Sequence, residues 1–200
     1  MSKPEQRSIP IENIEVREQD GEGMPVIEMY PAVFNSWSEE LAGFRERILP
    51  GAFEEAIREN DVIACFNHDK DQLLGRLKSG TLTLEEDERG LRAEIQPPDT
   101  DFGRYIVELI DRGDIDGGSF RFNALEENWN FKDGEELDER ELVKLELFDV
   151  GPVTYPAYPD TQASVRSTEQ VHQEARKSTK DYSRDLDVLK RELEIMELEI

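Results

Sequence analysis

L-L-G-R-L-K-S-G-T-L-T-L-E-E-D-E-R-G-L-R-A-E-I, Leu73–Ile95, carries the plainest structural signal in the chain. Leu82 and Leu84 alternate with Thr81, Thr83 and Glu85, and Leu91, Ala93 and Ile95 alternate with Arg92 and Glu94. Successive side chains of a strand point to opposite faces, so each half offers one apolar face and one polar face. E-E-D-E-R-G between the halves reads as a turn, and the segment is expected to be a β-hairpin with one face buried.

Upstream of this hairpin, the apolar run Val62–Phe66 stops at Asn67-His68-Asp69, and Lys70-Asp71-Gln72 forms a polar turn. Phe53, Ala56 and Ile57 stand at i, i+3 and i+4, the spacing of a short helix packed on a sheet. Met24–Phe34 is rich in branched and aromatic residues but broken by Pro25 and Pro31, which suits an edge or bulged strand, expected as an outer strand of a sheet. Ser36–Arg47 reads as a charged loop, and Pro50-Gly51 as a break in the chain.

Downstream, Pro97-Pro98 ends the hairpin, and Asp99 or Thr100 can cap a helix with Phe102, Ile106, Leu109 and Ile110 on one face. Gly113 is placed to close it. The chain re-enters the sheet at Ile115 and reaches Ser119 after Gly117-Gly118. Phe120-Arg121-Phe122 continues as an extended run, so Ser119 is expected at the start of a strand and not in a G-x-S-x-G elbow. Trp129 and Phe131 suggest a short aromatic strand, Lys132–Glu139 an acidic loop, and Leu142 the start of another alternating strand. The sum is a mainly β (α+β) chain, a mostly antiparallel β-barrel or closed sheet with two or three helices.

The ends differ in composition. Residues 1–23 carry many charges and few large apolar groups, and residues 1–12 are expected to be a mobile arm before a domain over 13–165. Residues 166–183 read as a linker, with His172 solvated and non-catalytic. Over 184–200 an amphipathic helix is expected: Leu186, Leu189, Leu193, Met196 and Ile200, with Tyr182 before them, step by 4 and 3 as in the a/d seam of a coiled coil.

Acidic residues number 47 against 24 Lys and Arg, a net charge of −23. A phosphate-binding surface needs clustered cations, so nucleic acid and anionic membranes are disfavoured and protein partners expected. No stretch approaches the ~18 apolar residues of a membrane span, and Met1–Ile11 lacks the apolar core of a signal peptide. Cys65 is the single cysteine. It has no disulfide partner within the chain, no neighbouring base to activate it, and reads as a small buried side chain. One cysteine and one domain histidine do not make a standard zinc site, so no metal or cofactor is expected.

Two residues invite a chemical reading. A serine hydroxyl is a weak nucleophile until an imidazole within hydrogen-bond reach takes its proton. His68 and Ser119, each at a strand end, could form such a pair. Taken singly, they could equally be a surface histidine and a turn serine.

The wider pattern resembles the prohead (procapsid maturation) proteases of tailed phages, a family related in fold to the herpesvirus assemblins. Seven pieces stand in the family's order: A-V-F-N-S (Ala32–Ser36), R-I-L-P-G-A-F (Arg47–Phe53), F-N-H-D (Phe66–Asp69), L-G-R-L-K-S-G-T-L (Leu74–Leu82), D-E-R-G-L (Asp87–Leu91), R-G-D-I-D-G-G-S-F-R-F (Arg112–Phe122) and F-D-V-G-P-V-T-Y-P-A-Y-P-D-T (Phe148–Thr161). The resemblance implies a distorted antiparallel β-barrel ringed by a few helices. It implies a serine endopeptidase with His68 as general base and Ser119 as nucleophile, working through an acyl-enzyme. Its partners would be a major capsid protein precursor or scaffold, and the chain itself, inside the procapsid in the host cytoplasm, as a homodimer or assembly-dependent oligomer.

The third catalytic position falls near Lys144, which cannot orient an imidazolium. Glu146 shares its face by alternation and is the choice here, with Asp149, Asp69 and Glu94 open. The arginine pair that assists the oxyanion in the herpesvirus enzymes has no counterpart in G-P-V-T-Y, which leaves main-chain amides near Ser119 for that task. A catalytically silent scaffold or capsid-assembly module with the protease fold is the rival reading. Retention of both His68 and Ser119 speaks against it.

Overall fold

The computed structural model describes residues 4–10, 14–18, 23–134, 136–155 and 168–179. Among the described residues, ten strands form two sheets around one apolar core. The smaller sheet contains the expected hairpin. β7 (Leu82–Glu86) pairs with β8 (Gly90–Ile95), Asp87 accepts from the Arg89 and Gly90 amides in the turn, and Leu82, Leu84, Leu91, Ala93 and Ile95 are buried. On the far side of β8 lie β3 (Val26–Val33) and then the short β2 (Glu15–Arg17). β3 is therefore an interior strand, where an outer one was expected. Its register slips between Met29 and Ala32, a bulge that accommodates Pro31 within the ladder.

The larger sheet runs β1 (Glu5–Pro10), β9 (Gly117–Asn130), β10 (Asp138–Val153), β5 (Ile63–Cys65), β6 (Leu73–Arg76), with β4 (Phe44–Ile48) also on β10. β9 and β10 are 14 and 16 residues long, so the short aromatic strand and the later start at Leu142 are parts of one long antiparallel ribbon. β4 and β5 pair with β10 in parallel. These pairings and the two sheets' separate edges replace the expected closed antiparallel barrel: the sheets are not closed on each other.

Two helices frame the core. α1 (Glu54–Glu59) buries Ala56 and packs on β10. α2 (Asp101–Asp111) starts at Thr100, whose hydroxyl accepts from the Gly103 amide, and buries Ile106 and Ile110. It ends through Gly113 at φ 77°, where the Gly113 and Asp114 amides bond back to Ile110 and Leu109.

Three segments that read as unstructured are elements. Glu5–Pro10, placed in the mobile arm, pairs along β9 from Phe122 to Gly117. F-R-E-R-I, read as loop and loop edge, is β4, with Phe44, Glu46 and Ile48 buried. Residues 168–179, placed in the linker, form a third helix, α3. His172 on α3 is not solvated: its ring stacks on Trp129, lies against Phe44, and its Nε2 is 2.5 Å from Asp138. The expected helix over 184–200 lies outside the described residues.

Ionic networks explain why polar sequence is buried here. Arg140, only 1% exposed, donates to both carboxylate oxygens of Glu5 at 2.8 and 2.9 Å, to Glu46 at 3.1 Å and to Glu127. Arg7 bonds Glu5 and Glu46 and lies over the Phe122 ring. A buried guanidinium is tolerable only when paired, and removing one partner of such a set costs about 3–5 kcal/mol. The fully buried Asp138 accepts from Arg176, His172 and the Lys132 amide. Burial alone would raise its pKa, but these donors hold it down to about 2.

Candidate active site

The site forms where the ends of β5, β9 and β10 meet. β5 closes with Cys65 and the chain turns sharply through Phe66-Asn67-His68, with Asn67 and His68 both in the left-handed region at φ 52° and 58°. Such backbone costs about 1–3 kcal/mol per residue and persists only where surroundings hold it. Here the Asp69 amide bonds to Phe66 O, the Phe66 amide to Gln72 O, and the Asn67 side chain donates from Nδ2 to Thr154 Oγ1 and accepts at Oδ1 from the Thr154 amide, just past the end of β10. The Asp69 carboxylate accepts from the Asp71 amide and Gln72 Nε2, so it braces the turn.

Held this way, the His68 ring bridges two groups. Its Nε2 lies 2.5 Å from Ser119 Oγ and its Nδ1 2.5 Å from Asp149 Oδ1. The other carboxylate oxygen, Oδ2, accepts from Arg121 Nε at 2.6 Å and Nη2 at 2.5 Å. Asp149 is 1% exposed and Ser119 0%. An acceptor at Nδ1 favours the tautomer with the proton there, which leaves Nε2 free to take the Ser119 proton.

His68 and Ser119 are thus brought together, and the carboxylate that meets the ring is Asp149, not Glu146. Leu145 and Leu147 do point into the core, and Glu146 does share the face of Ser119. It stands further along the ribbon, opposite Asn123, whose Nδ2 donates to it at 2.8 Å. The register explains the displacement. Leu147 is opposite Phe122, yet Asp149 is opposite Arg121: two steps on β10 match one on β9, a bulge at Phe148. Strict alternation assigns Asp149 to the core face of Leu145 and Leu147. The bulge turns it to the face of Ser119 and Arg121 and gives the core position to Val150.

Lys144 pairs with Glu55, and Glu94 with Arg17 and Arg92, both away from the ring. Arg121 was not anticipated, though its place two residues after Ser119 puts it on the same strand face. Cys65 is buried, and burial, with Asp149 nearby, pushes its thiol up to about 12, far from a reactive thiolate at neutral pH. Among the described residues no cluster of three His, Cys, Asp or Glu side chains could hold a metal ion.

Comparison with known proteins agrees with the pattern of the motifs. The family described as caudovirus prohead serine protease matches residues 12–176. No curated protein matches the chain. Among solved structures, the bacteriophage T4 capsid assembly protease gp21 is similar at 13% identity and a TM-score of 0.47, over 78% of this chain and 100% of that one. The family match spans most of the sequence, including all of β3 to β10 and the residues around His68, Ser119 and Asp149: the chain belongs to the caudovirus prohead serine protease family.

Proposed function

We propose that this chain is a serine endopeptidase that cleaves scaffold or capsid-precursor segments, and segments of its own kind, inside the procapsid during maturation. The observation that carries the reading is the continuous hydrogen-bonded series Ser119–His68–Asp149–Arg121. Ser119 Oγ attacks the scissile carbonyl carbon while His68 Nε2 takes its proton. The C–N bond then breaks, His68 returns the proton to the leaving amine, and water hydrolyses the acyl-enzyme by the same route. Asp149 keeps the ring oriented and stabilises the imidazolium, and Arg121 fixes the second oxygen of Asp149, so that the carboxylate cannot rotate away.

Main-chain amides around Ser119 take the oxyanion, at the end of a strand that opens with two glycines. The acidic surface suits a protease enclosed in a shell that will receive DNA, since it repels that polyanion. Coexpression with a capsid precursor tests the function. Shortened precursor is expected with the unaltered chain and full-length precursor with Ser119→Ala or His68→Ala. Processing by Ser119→Ala would refute the mechanism.

A further inference from the structure

Asp149 is 1% exposed, and an anion at that depth is tolerable only when it is paired. Its Oδ1 meets His68 Nδ1. Its Oδ2 accepts from Arg121 Nε at 2.6 Å and lies 2.5 Å from Nη2 of the same side chain. Orienting the carboxylate asks for a single donor at Oδ2, which an amide or a hydroxyl would supply. A guanidinium adds a positive charge that it keeps at every working pH. The resting site is therefore balanced, with Asp149 negative, Arg121 positive and His68, as a base must be, uncharged.

The groups around the pair leave that balance to Arg121. β5 brings the Cys65 thiol, pushed up to about 12 and so uncharged. The turn brings Asp69 and Lys70, opposite in sign and both exposed. β1 brings the Ser8 hydroxyl to Ser119, while the Arg7 guanidinium bonds Glu5 and Glu46. On β10 itself the next charge on this face is Glu146, held by Asn123, and the residue past its end is Thr154. Among the described residues, Arg121 is the one cation, apart from His68 when protonated, that contacts Asp149.

We propose that Arg121 is a positioning residue that sets the pH range of the protease: its charge, acting through Asp149, keeps His68 unprotonated and able to serve as general base. This rests on the reading of Ser119 as nucleophile and His68 as base. Without the charge, Asp149 is a buried anion that is neutralised only by a proton held on itself or on the imidazole. The Asp149–His68 pair then keeps that proton to higher pH, and an imidazolium cannot accept the Ser119 proton. The same positive charge makes the imidazolium of the transition state less favourable. Arg121 thus gives up some rate at alkaline pH and extends activity toward neutral and acidic pH.

The test is the pH profile of acylation by a fluorophosphonate probe, which reports a reactive serine, on the full chain. Arg121→Gln removes the charge and keeps an amide able to bond Oδ2, whereas Arg121→Lys keeps the charge. With Arg121→Gln the acid limb is expected to move up by about one pH unit or more, so that labelling on the limb falls about tenfold. With Arg121→Lys the limb should return to its place in the unaltered chain. A loss by one factor at every pH, with the limb unmoved, would make Arg121 a steric support and overturn the proposal, as would a limb that Arg121→Lys leaves displaced. An unaltered chain that never labels at Ser119 overturns the catalytic reading and this inference with it. Titration of the His68 ring by NMR, its signal told from that of His172 by His68→Ala, reads the same effect without catalysis. In the Asp149→Asn background no carboxylate is left buried and unpaired, so the comparison does not hang on folding. There the ring is expected to keep its proton to higher pH with Arg121→Gln than without it, and equal midpoints would overturn the proposal.

Discussion

Gly151→Ala is the perturbation that most sharply isolates the packing behind the catalytic geometry. Gly151 faces Ser119 across the β9–β10 ladder, and its Cα lies against the backbone of Cys65 on β5. A Cβ at 151 would overlap the Cys65 carbonyl oxygen and stand 3.0 Å from its carbon and 3.2 Å from its nitrogen. Relaxed contacts between such atoms are ~3.5–4.0 Å, so clearing the overlapped oxygen requires β5 to move away by more than about 1 Å. The atoms in the way are backbone, and no side-chain rotation relieves the overlap. Cys65 directly precedes the Phe66–His68 turn, so the shift is passed to the imidazole. Moving the ring by ~1 Å breaks 2.5 Å bonds to Ser119 and Asp149, and misplacement on that scale can lower a rate about 10²-fold. Overpacking should also cost about 1–3 kcal/mol of stability. The assay is capsid-precursor cleavage per folded molecule, well below the variant's thermal midpoint. A Gly151→Ala chain that cleaves within twofold of the unaltered protein, with the same Tm, would refute this account of how β5, β9 and β10 set the site.

Asp149→Asn should lower turnover by about 10⁴-fold by favouring the wrong imidazole tautomer, while Glu146→Gln, which loses a bond to Asn123, stays within a few-fold; comparable losses in kcat would place Glu146 back beside the ring. Cys65→Ala should retain cleavage, and iodoacetamide at pH 8 should leave the native chain active, because a thiol near 12 stays protonated there; inactivation by alkylation of Cys65 would contradict this. Asp138 has a folded pKa of about 2, below its ordinary 3.8, so its stabilisation of the α3 docking is complete above pH ~4 and is lost as pH falls from there through 2. Trp129 fluorescence should report that loss over the same window, and its absence would show that Asp138 does not govern α3. Ending the chain after residue 165 should lower Tm, because Asp138 then keeps only the Lys132 amide among these donors and Phe44 and Trp129 lose the His172 ring; an unchanged Tm would restore the reading of this region as a linker.

What the sequence conveyed follows from which forces act locally. The β7–β8 hairpin and α2 were legible because period, turn and caps lie within a few residues of one another. β1 and β4 were not, because E-Q-R-S-I-P and F-R-E-R-I look solvated until Arg140, some 94–135 positions away, supplies the counter-charge that lets Glu5 and Glu46 be buried. α3 was missed for the same reason: its contact is a polar triad of His172, Arg176 and Asp138 across 34–38 residues. His68 and Ser119 were found through their motifs, and their meeting is a consequence of β5 and β9 flanking β10. Asp149 stood among the alternatives but lost to Glu146, since one extra residue at Phe148 reverses strand parity and nothing in L-F-D-V announces a bulge.

The central claim is that Ser119, activated by His68, is the nucleophile. The most direct measurement is to carry fluorophosphonate labelling of the unaltered chain to completion and map the adduct by peptide mass spectrometry. A single adduct on Ser119, absent in His68→Ala, is the predicted result. An adduct on another serine, or undiminished labelling of Ser119 without His68, would contradict it.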